Sequence, residues 1–443
     1  MAARKGLLRA GAAGATILAA AGAAVGSTLS YDAAQHDGAG DRSAARYGDR
    51  DDGHGHRDRA RNVIFIQGDG MGLSARELVR VATVGKDDQL VMDSLEHAGW
   101  TATDSADPED AVTDSAAGAT AFASGVRTYN GAVGVDADGD PVPTLLERAE
   151  RAGKATGLVT TAQITDASPA AFGAHVPDRA DQSEIARQFL DGPRPEVLLG
   201  GGEDWWFPAG EPGAWADNPA KDPTEQSKGT EGNLVERAQR LGYTYVSDAD
   251  GLADAEGRRL LGLFANEEMF EQRNEGEGDL YSPEVPLVDM AATALDVLSR
   301  DRDGFFLLLE EEAIDEFAHR SNATRTIEAG QALDDTVALA LEFQREHPDT
   351  LVLVVGDHAT GGLAIENVDA EDESGAGATA EDGPFPIPGT DLEFTVDWTT
   401  GGHTGEATPL TAQGPGAERL GGAQLNTDVH DAVLRAMFPR GRG

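Results

Sequence analysis

Thr350-Leu351-Val352-Leu353-Val354-Val355-Gly356-Asp357-His358 is an unbroken apolar run that ends in a glycine and then an ionisable pair. A run of this length without polar alternation reads as a strand buried on both faces. Asp357 and His358 then stand where the chain leaves the core, and a charged pair there has to be compensated by a partner or a metal. Outward from this stretch, Asn62 to Gln67, Thr156 to Thr160, Glu196 to Leu199 and Gly304 to Leu309 have the same buried-strand character. Helical periodicity fits Pro143 to Ala152, Asp181 to Leu190, Leu234 to Leu241, Pro286 to Ser299, Ala323 to Glu346 and Asn426 to Met437. Strands alternating with helices predict an α/β three-layer sandwich with a central, largely parallel sheet. In such sheets a ligand site lies outside the carboxyl ends of the strands.

Residues 1–30 contain Arg4, Lys5 and Arg9 and no acid, ahead of the small apolar run Gly11 to Val25. That is the pattern of an export signal, so the protein is expected to be periplasmic or extracellular, with no stable membrane span once the signal is cleaved. Arg4-Lys5-Gly6-Leu7-Leu8-Arg9 has the outline of a twin-arginine signal with Lys in the second basic place. Residues 31–60 are polar and glycine-rich and read as a flexible linker, whose His54 and His56 are either solvated or metal-binding. Residues 61–443 form one domain, with the Gly-, Pro- and Trp-rich segment 200–230 and the acidic segment 366–400 as surface insertions.

With 35 basic and 78 acidic residues the formal charge is −43. Such a field repels nucleic acid and anionic membranes. It also repels itself unless salt screens it or cations bind it, which suits a salt-adapted (halophilic) protein or an acidic secreted one. There is no cysteine, so added stability has to come from packing, bound metals or assembly.

Four segments carry candidate chemistry. Gln67-Gly68-Asp69-Gly70-Met71-Gly72 follows the first strand; its glycines suit an ordinary turn or a carboxylate closely approached by a metal. Thr113-Asp114-Ser115 precedes a run of small residues with helical character. Either Ser115 or Asp114 is simply the helix cap there, or Ser115 is a nucleophile beside free N–H groups that bind phosphate oxygens. Gly304 to His319 contains Glu310, Asp315 and His319, the last two four residues apart and hence on one face if helical. An acidic exposed turn is the other reading. Asp357 and His358 come next, then His403 between glycines. Together Asp69, Asp315, His319, Asp357, His358 and His403 supply oxygen and nitrogen ligands suited to two zinc ions.

In these motifs, and in Gly125-Val126-Arg127-Thr128-Tyr129-Asn130-Gly131, Asp166-Ala167-Ser168-Pro169-Ala170-Ala171 and Ala174-His175-Val176, the sequence resembles the alkaline phosphatase family from about Asn62 onward. The resemblance implies two Zn2+ and one Mg2+, small phosphate monoesters as substrates, and often a homodimer. By position it implies that Asp315, His319 and His403 bind the first zinc and Asp69, Asp357 and His358 the second. Asp69, Glu310 and Ser168 would hold magnesium, with Asp166 on its water shell, and Arg179 would clamp phosphate. Ser115 would form a phosphoserine in the first of two in-line steps.

Four residues depart from the family pattern. Glu311 and Glu312 replace small residues after Glu310; strand alternation puts Glu310 and Glu312 on the same side, and the family's spacing to Asp315 implies Glu310 as the ligand. Glu316 stands where a Lys, His or Trp is common, so an acid there is expected to weaken phosphate product inhibition. Ser168 replaces a commoner threonine and keeps the hydroxyl. A sulfatase or phosphodiesterase of the same superfamily is the nearest alternative, although Ser115-Ala116-Ala117-Gly118-Ala119 lacks the sulfatase pattern. A non-enzymatic cation-binding protein would explain the charge but not Ser115, Arg179 and the three histidines.

Overall fold

The computed structural model describes residues 59–220, 224–368 and 381–438. The predicted export signal, most of the predicted linker with His54 and His56, and part of the acidic insertion lie outside these residues. Ten strands form one sheet, in the spatial order Gly422–Leu425, His97–Ala102, Thr408–Gln413, Thr350–Val355, Asn62–Gly68, Phe305–Glu311, Ala155–Gln163, Val197–Gly201, Leu260–Leu263 and Thr244–Val246. Neighbours run parallel except on the two sides of Thr408–Gln413.

The central strands are buried throughout because each has a core on both faces. Along Asn62–Gly68, Val63 and Phe65 enter one core while Ile64 and Ile66 enter the other. Thr350–Val355 divides in the same way, with Leu351, Leu353 and Val355 on one side and Val352 and Val354 on the opposite side. Successive side chains of a strand point to opposite faces, so this partition defines a three-layer sandwich. Helices Ser115–Ser124, Ala167–Gly173, Gln182–Asp191 and Asn426–Met437 cover the first face. Leu287–Leu298 and Ala323–Glu346 cover the second. Phe65 meets Phe122 and Phe172 at ring separations of 5.7 and 5.4 Å, pinning two helices to the middle strand. Burying each such ring stabilises the fold by about 1.5–3 kcal/mol.

Every residue of Ser115–Ser124 is buried, which explains its run of small side chains. A Cβ on Gly118 would stand 3.2 Å from Asp357 Cβ, so the glycine lets this helix close down on the end of Thr350–Val355. Segment 200–230 is anchored more deeply than a surface insertion, for Trp206 is fully buried in the first core. Beyond Ala364 lies a small antiparallel sheet of Ala364–Asn367, Glu393–Asp397 and Asp382–Pro386 with its own apolar contacts. Ala60 is buried and its N–H donates to Ala436 O at 2.9 Å, tying the start of the domain to its last helix. Among the described residues no helix is long and apolar enough to cross a membrane.

Candidate active site

Asn62–Gly68 lies between Phe305–Glu311 and Thr350–Val355, with Gln67 opposite both Glu310 and Val355. This register delivers Asp69, Glu310 and Asp357 to the same edge of the sheet. Gly70 adopts φ +67°, and a Cβ there would come within 2.5 Å of Asp315 Oδ1, so the turn after the first strand needs glycine. Gly70 N–H donates to Asp357 Oδ1 at 3.2 Å. Asp315 and His319 occupy one face of the helix Ala313–His319 and meet at 3.1 Å. His403 arrives on a two-stranded ribbon with Ala359–Thr360.

The histidine tautomers follow from their outer partners. His319 Nδ1 lies 2.8 Å from Gly401 O and His403 Nδ1 lies 3.0 Å from Thr113 O. A carbonyl only accepts, so both Nδ1 atoms carry the proton and both Nε2 atoms present lone pairs. Those Nε2 atoms face each other at 3.1 Å, beside Asp315. Thr360 donates its hydroxyl to Asp315 Oδ1 and sits 3.3 Å from His358 Nδ1, leaving His358 Nε2 3.4 Å from both Asp69 Oδ1 and Asp357 Oδ2. Asp69 Oδ1 and Asp357 Oδ2 have no hydrogen-bond partner.

Lone pairs and carboxylates facing one another at this spacing call for a cation. Candidate ligand atoms of Asp315, His319 and His403, and of Asp69, Asp315 and His358, lie within 4.8 Å of one another in each group. Asp357 flanks the second group and Asp315 is shared by both. Oxygen and imidazole ligands without sulfur suit zinc or a similar divalent ion. Burial and the neighbouring Asp315 and Glu310 push Asp357 up to about 8. Burial, with Asp357 and Asp315, also holds Asp69 well above the usual carboxylate range. Burial lowers His358 well below the ordinary histidine value, which keeps it neutral as a ligand must be. For His319, burial is outweighed by the bond to Asp315, which raises it to about 9.

Ser115 opens its helix, with Asp114 as N-cap accepting from Ala117 N–H at 2.9 Å. The cap is therefore Asp114, and Ser115 is the first residue of the helix. Ser115 Oγ is 3.1 Å from His358 Nε2. Arg179 donates from Nη2 to Asp166 Oδ1 at 2.6 Å and holds Nη1 3.6 Å from Asp114 Oδ2. Burial opposes its charge, but Asp166 and Asp114 raise the guanidinium above its ordinary value, so it stays cationic.

Glu310 accepts from Thr160 Oγ1 at 2.7 Å and from Gln67 Nε2 at 3.4 Å, and Gln67 also donates to Ser168 Oγ at 2.7 Å. Glu310 and Ser168 are thus linked through Gln67. Glu311 turns away: its carboxylate receives Thr161 Oγ1 and Tyr281 OH, each at 2.7 Å, and the Ala313 N–H at 3.2 Å. All eleven candidate residues, Asp69, Ser115, Asp166, Ser168, Arg179, Glu310, Asp315, His319, Asp357, His358 and His403, belong to this neighbourhood. Sequence reasoning missed Gln67, Thr160 and Thr360; strand ends and the two-residue step from His358 are the signals that mark them.

The chain matches the alkaline phosphatase family over residues 60–385. The chain belongs to that family. Alkaline phosphatase 3 of Bacillus subtilis is 31% identical, over 86% of this chain and 90% of its own length. Streptomycin-6-phosphate phosphatase of Streptomyces griseus is 34% identical, over 85% and 90%. The mutant alkaline phosphatase of the Antarctic bacterium TAB5, solved with Mg bound in the M3 site, is 27% identical with a TM-score of 0.67, over 86% of this chain and 99% of that one. This alkaline phosphatase family member is a phosphatase acting on phosphate monoesters, and its fold is that of its relatives.

Proposed function

We propose that this phosphatase hydrolyses monoesters through a covalent phosphoserine on Ser115, with zinc and magnesium, as an exported, salt-adapted enzyme that scavenges phosphate. The observation that carries this reading is the place of Ser115 Oγ, at a buried helix start, 3.1 Å from His358 Nε2 and beside both ligand groups.

Asp315, His319 and His403 would hold one zinc, Asp69, Asp357 and His358 a second, and Asp69, Ser168 and Glu310 a magnesium ion, with Asp166 on its hydration shell. Bound there, such ions stabilise the attacking and leaving oxygens of an in-line displacement. The chain's own groups do the rest. The amides that open Ser115–Ser124 direct their dipoles at an anion beside Ser115. Arg179, braced by Asp166 and Asp114, offers its planar fork to two phosphate oxygens. Ser115 Oγ forms a bond to phosphorus as the ester oxygen departs; water then cleaves the phosphoserine, so configuration is retained over two inversions.

The test is p-nitrophenyl phosphate hydrolysis at alkaline pH across a salt series, for wild type and Ser115→Ala, before and after chelation. Activity that needs Ser115, falls with chelator, returns with zinc plus magnesium and leaves an acid-stable phosphoserine supports the proposal. Full activity in Ser115→Ala rules out the covalent route.

A further inference from the structure

The zinc groups and the Ser168 and Glu310 position leave three acids near Asp166, namely Glu268, Glu312 and Glu316, without a role. Glu312 is buried; its N–H donates to Thr161 Oγ1 at 3.1 Å, while its Oε2 has no hydrogen-bond partner. Glu316 stands one helical turn further on, its N–H 3.4 Å from Glu312 O, so both carboxylates leave the same helical face. The Asp166 and Glu312 carboxylates are close enough to interact directly. Glu268, held by Gln163 Nε2 at 2.6 Å, lies near enough for its charge to act on both Glu312 and Glu316.

The charged groups that act most strongly on Glu312 are Asp166, Glu316, Glu268 and Glu310, all acids. Arg179 is the one guanidinium bonded to this set among the described residues, and it is already divided between Asp166 and Asp114. Several buried carboxylates with an unpartnered oxygen cost several kcal/mol unless a counter-charge joins them. The ligand set is all oxygen, which favours a hard cation. Magnesium keeps several of its waters, so carboxylates can hold it without converging to direct contact.

We propose that Asp166, Glu268, Glu312 and Glu316 hold a further hydrated divalent cation of the magnesium class, beside the Ser168 and Glu310 position and distinct from it. The inference rests on reading the adjoining groups as the zinc centre. It gives Glu312 and Glu316 a joint purpose: alone, each acid repels phosphate, whereas together they recruit a positive charge next to the Arg179 clamp.

The test counts ions. Zinc-loaded protein is titrated with Mn2+ and tight binding is read by electron paramagnetic resonance, for wild type, Glu312→Gln/Glu316→Gln and, as a surface control, the exposed Glu342→Gln. Wild type and the control should each bind one more Mn2+ per chain than the double variant. Crystals of wild type soaked in Mn2+ supply a measurement that needs no variant, with an anomalous peak expected among Asp166, Glu312 and Glu316. Equal counts in all three proteins, or a peak confined to Ser168 and Glu310, overturn the proposal and mean that shared protons neutralise these acids. Because p-nitrophenyl phosphate hydrolysis reports separately on Ser115, loss of this further ion leaves the phosphoserine reading standing.

Discussion

Tyr281→Phe distinguishes a structural Glu311 from a metal-binding one. Tyr281 OH is one of three donors to the Glu311 carboxylate, at 2.7 Å, and burial pushes that carboxyl up to about 7. Above pH 7 the lost bond is to a charged acceptor and costs about 1.5–3 kcal/mol; with a protonated Glu311 it costs about 0.5–1.5 kcal/mol. Losing the donor raises the folded-state value further, so the penalty grows as pH rises through 7 and levels off once the variant's carboxyl is also ionised. The difference between the limits, about 1–1.5 kcal/mol, corresponds to roughly one further pH unit. Urea unfolding of chelated wild type and variant at pH 5.5 and pH 9 measures it. A penalty equal at both pH values, or a variant of normal stability that has lost bound metal, refutes the assignment and returns Glu311 to the ligand set.

Other perturbations probe separate parts of the molecule. Arg179→Lys keeps the charge but not the two-pronged geometry, and should lower kcat/KM for p-nitrophenyl phosphate by about 10-fold or more; a change below twofold would show that the fork does not meet phosphate. Chelation should lower the melting temperature, since ligands at a thousandfold excess over Kd stabilise by about 4 kcal/mol; an unchanged melt would mean that the buried acids and imidazoles need no ion. Lys154 is lowered to about 8 by burial, so the folded protein binds fewer protons than the unfolded chain between there and 10.5, and stability should rise with pH across that window. Lys154→Met should lack that rise, roughly 1–2 kcal/mol, in parallel unfolding curves; identical slopes would remove Lys154 as its source. Given a formal charge of −43, the wild-type melt should climb with NaCl, and a flat salt profile would argue against salt adaptation.

The five predicted strands were legible because each contains a compact run of buried apolar residues, and Thr350–Val355 is the clearest case. His97–Ala102 was not: it alternates between exposed and half-buried positions until Thr101, and its pattern is that of a loop. Thr408–Gln413 begins Thr-Pro and owes its place to pairing with Thr350–Val355 and His97–Ala102, which local sequence does not encode. Leu260–Leu263 and Thr244–Val246 are simply too short. The candidate site was more legible than the sheet edges, because ionisable residues after apolar strands are conspicuous. Strand alternation did not distinguish Glu310 from Glu312, since the strand ends at Glu311 and Glu312 has already turned into helical geometry. The donors to Glu311 come from Thr161 and Tyr281, which only tertiary folding brings near.

The ribbon of His403–Thr404 with Ala359–Thr360 bears on how the protein is made. The proposed ligands run from Asp69 to His403, and the latter is oriented by Thr113 O, 290 positions earlier. A nascent chain still lacking this ribbon offers Asp315 and His319 with no third arm, a weak chelate that surrounding thiols and proteins can strip of its ion. On the proposed zinc reading, metal capture would be deferred to the closing stage of folding, and a chain lacking the ribbon would be expected to stay inactive.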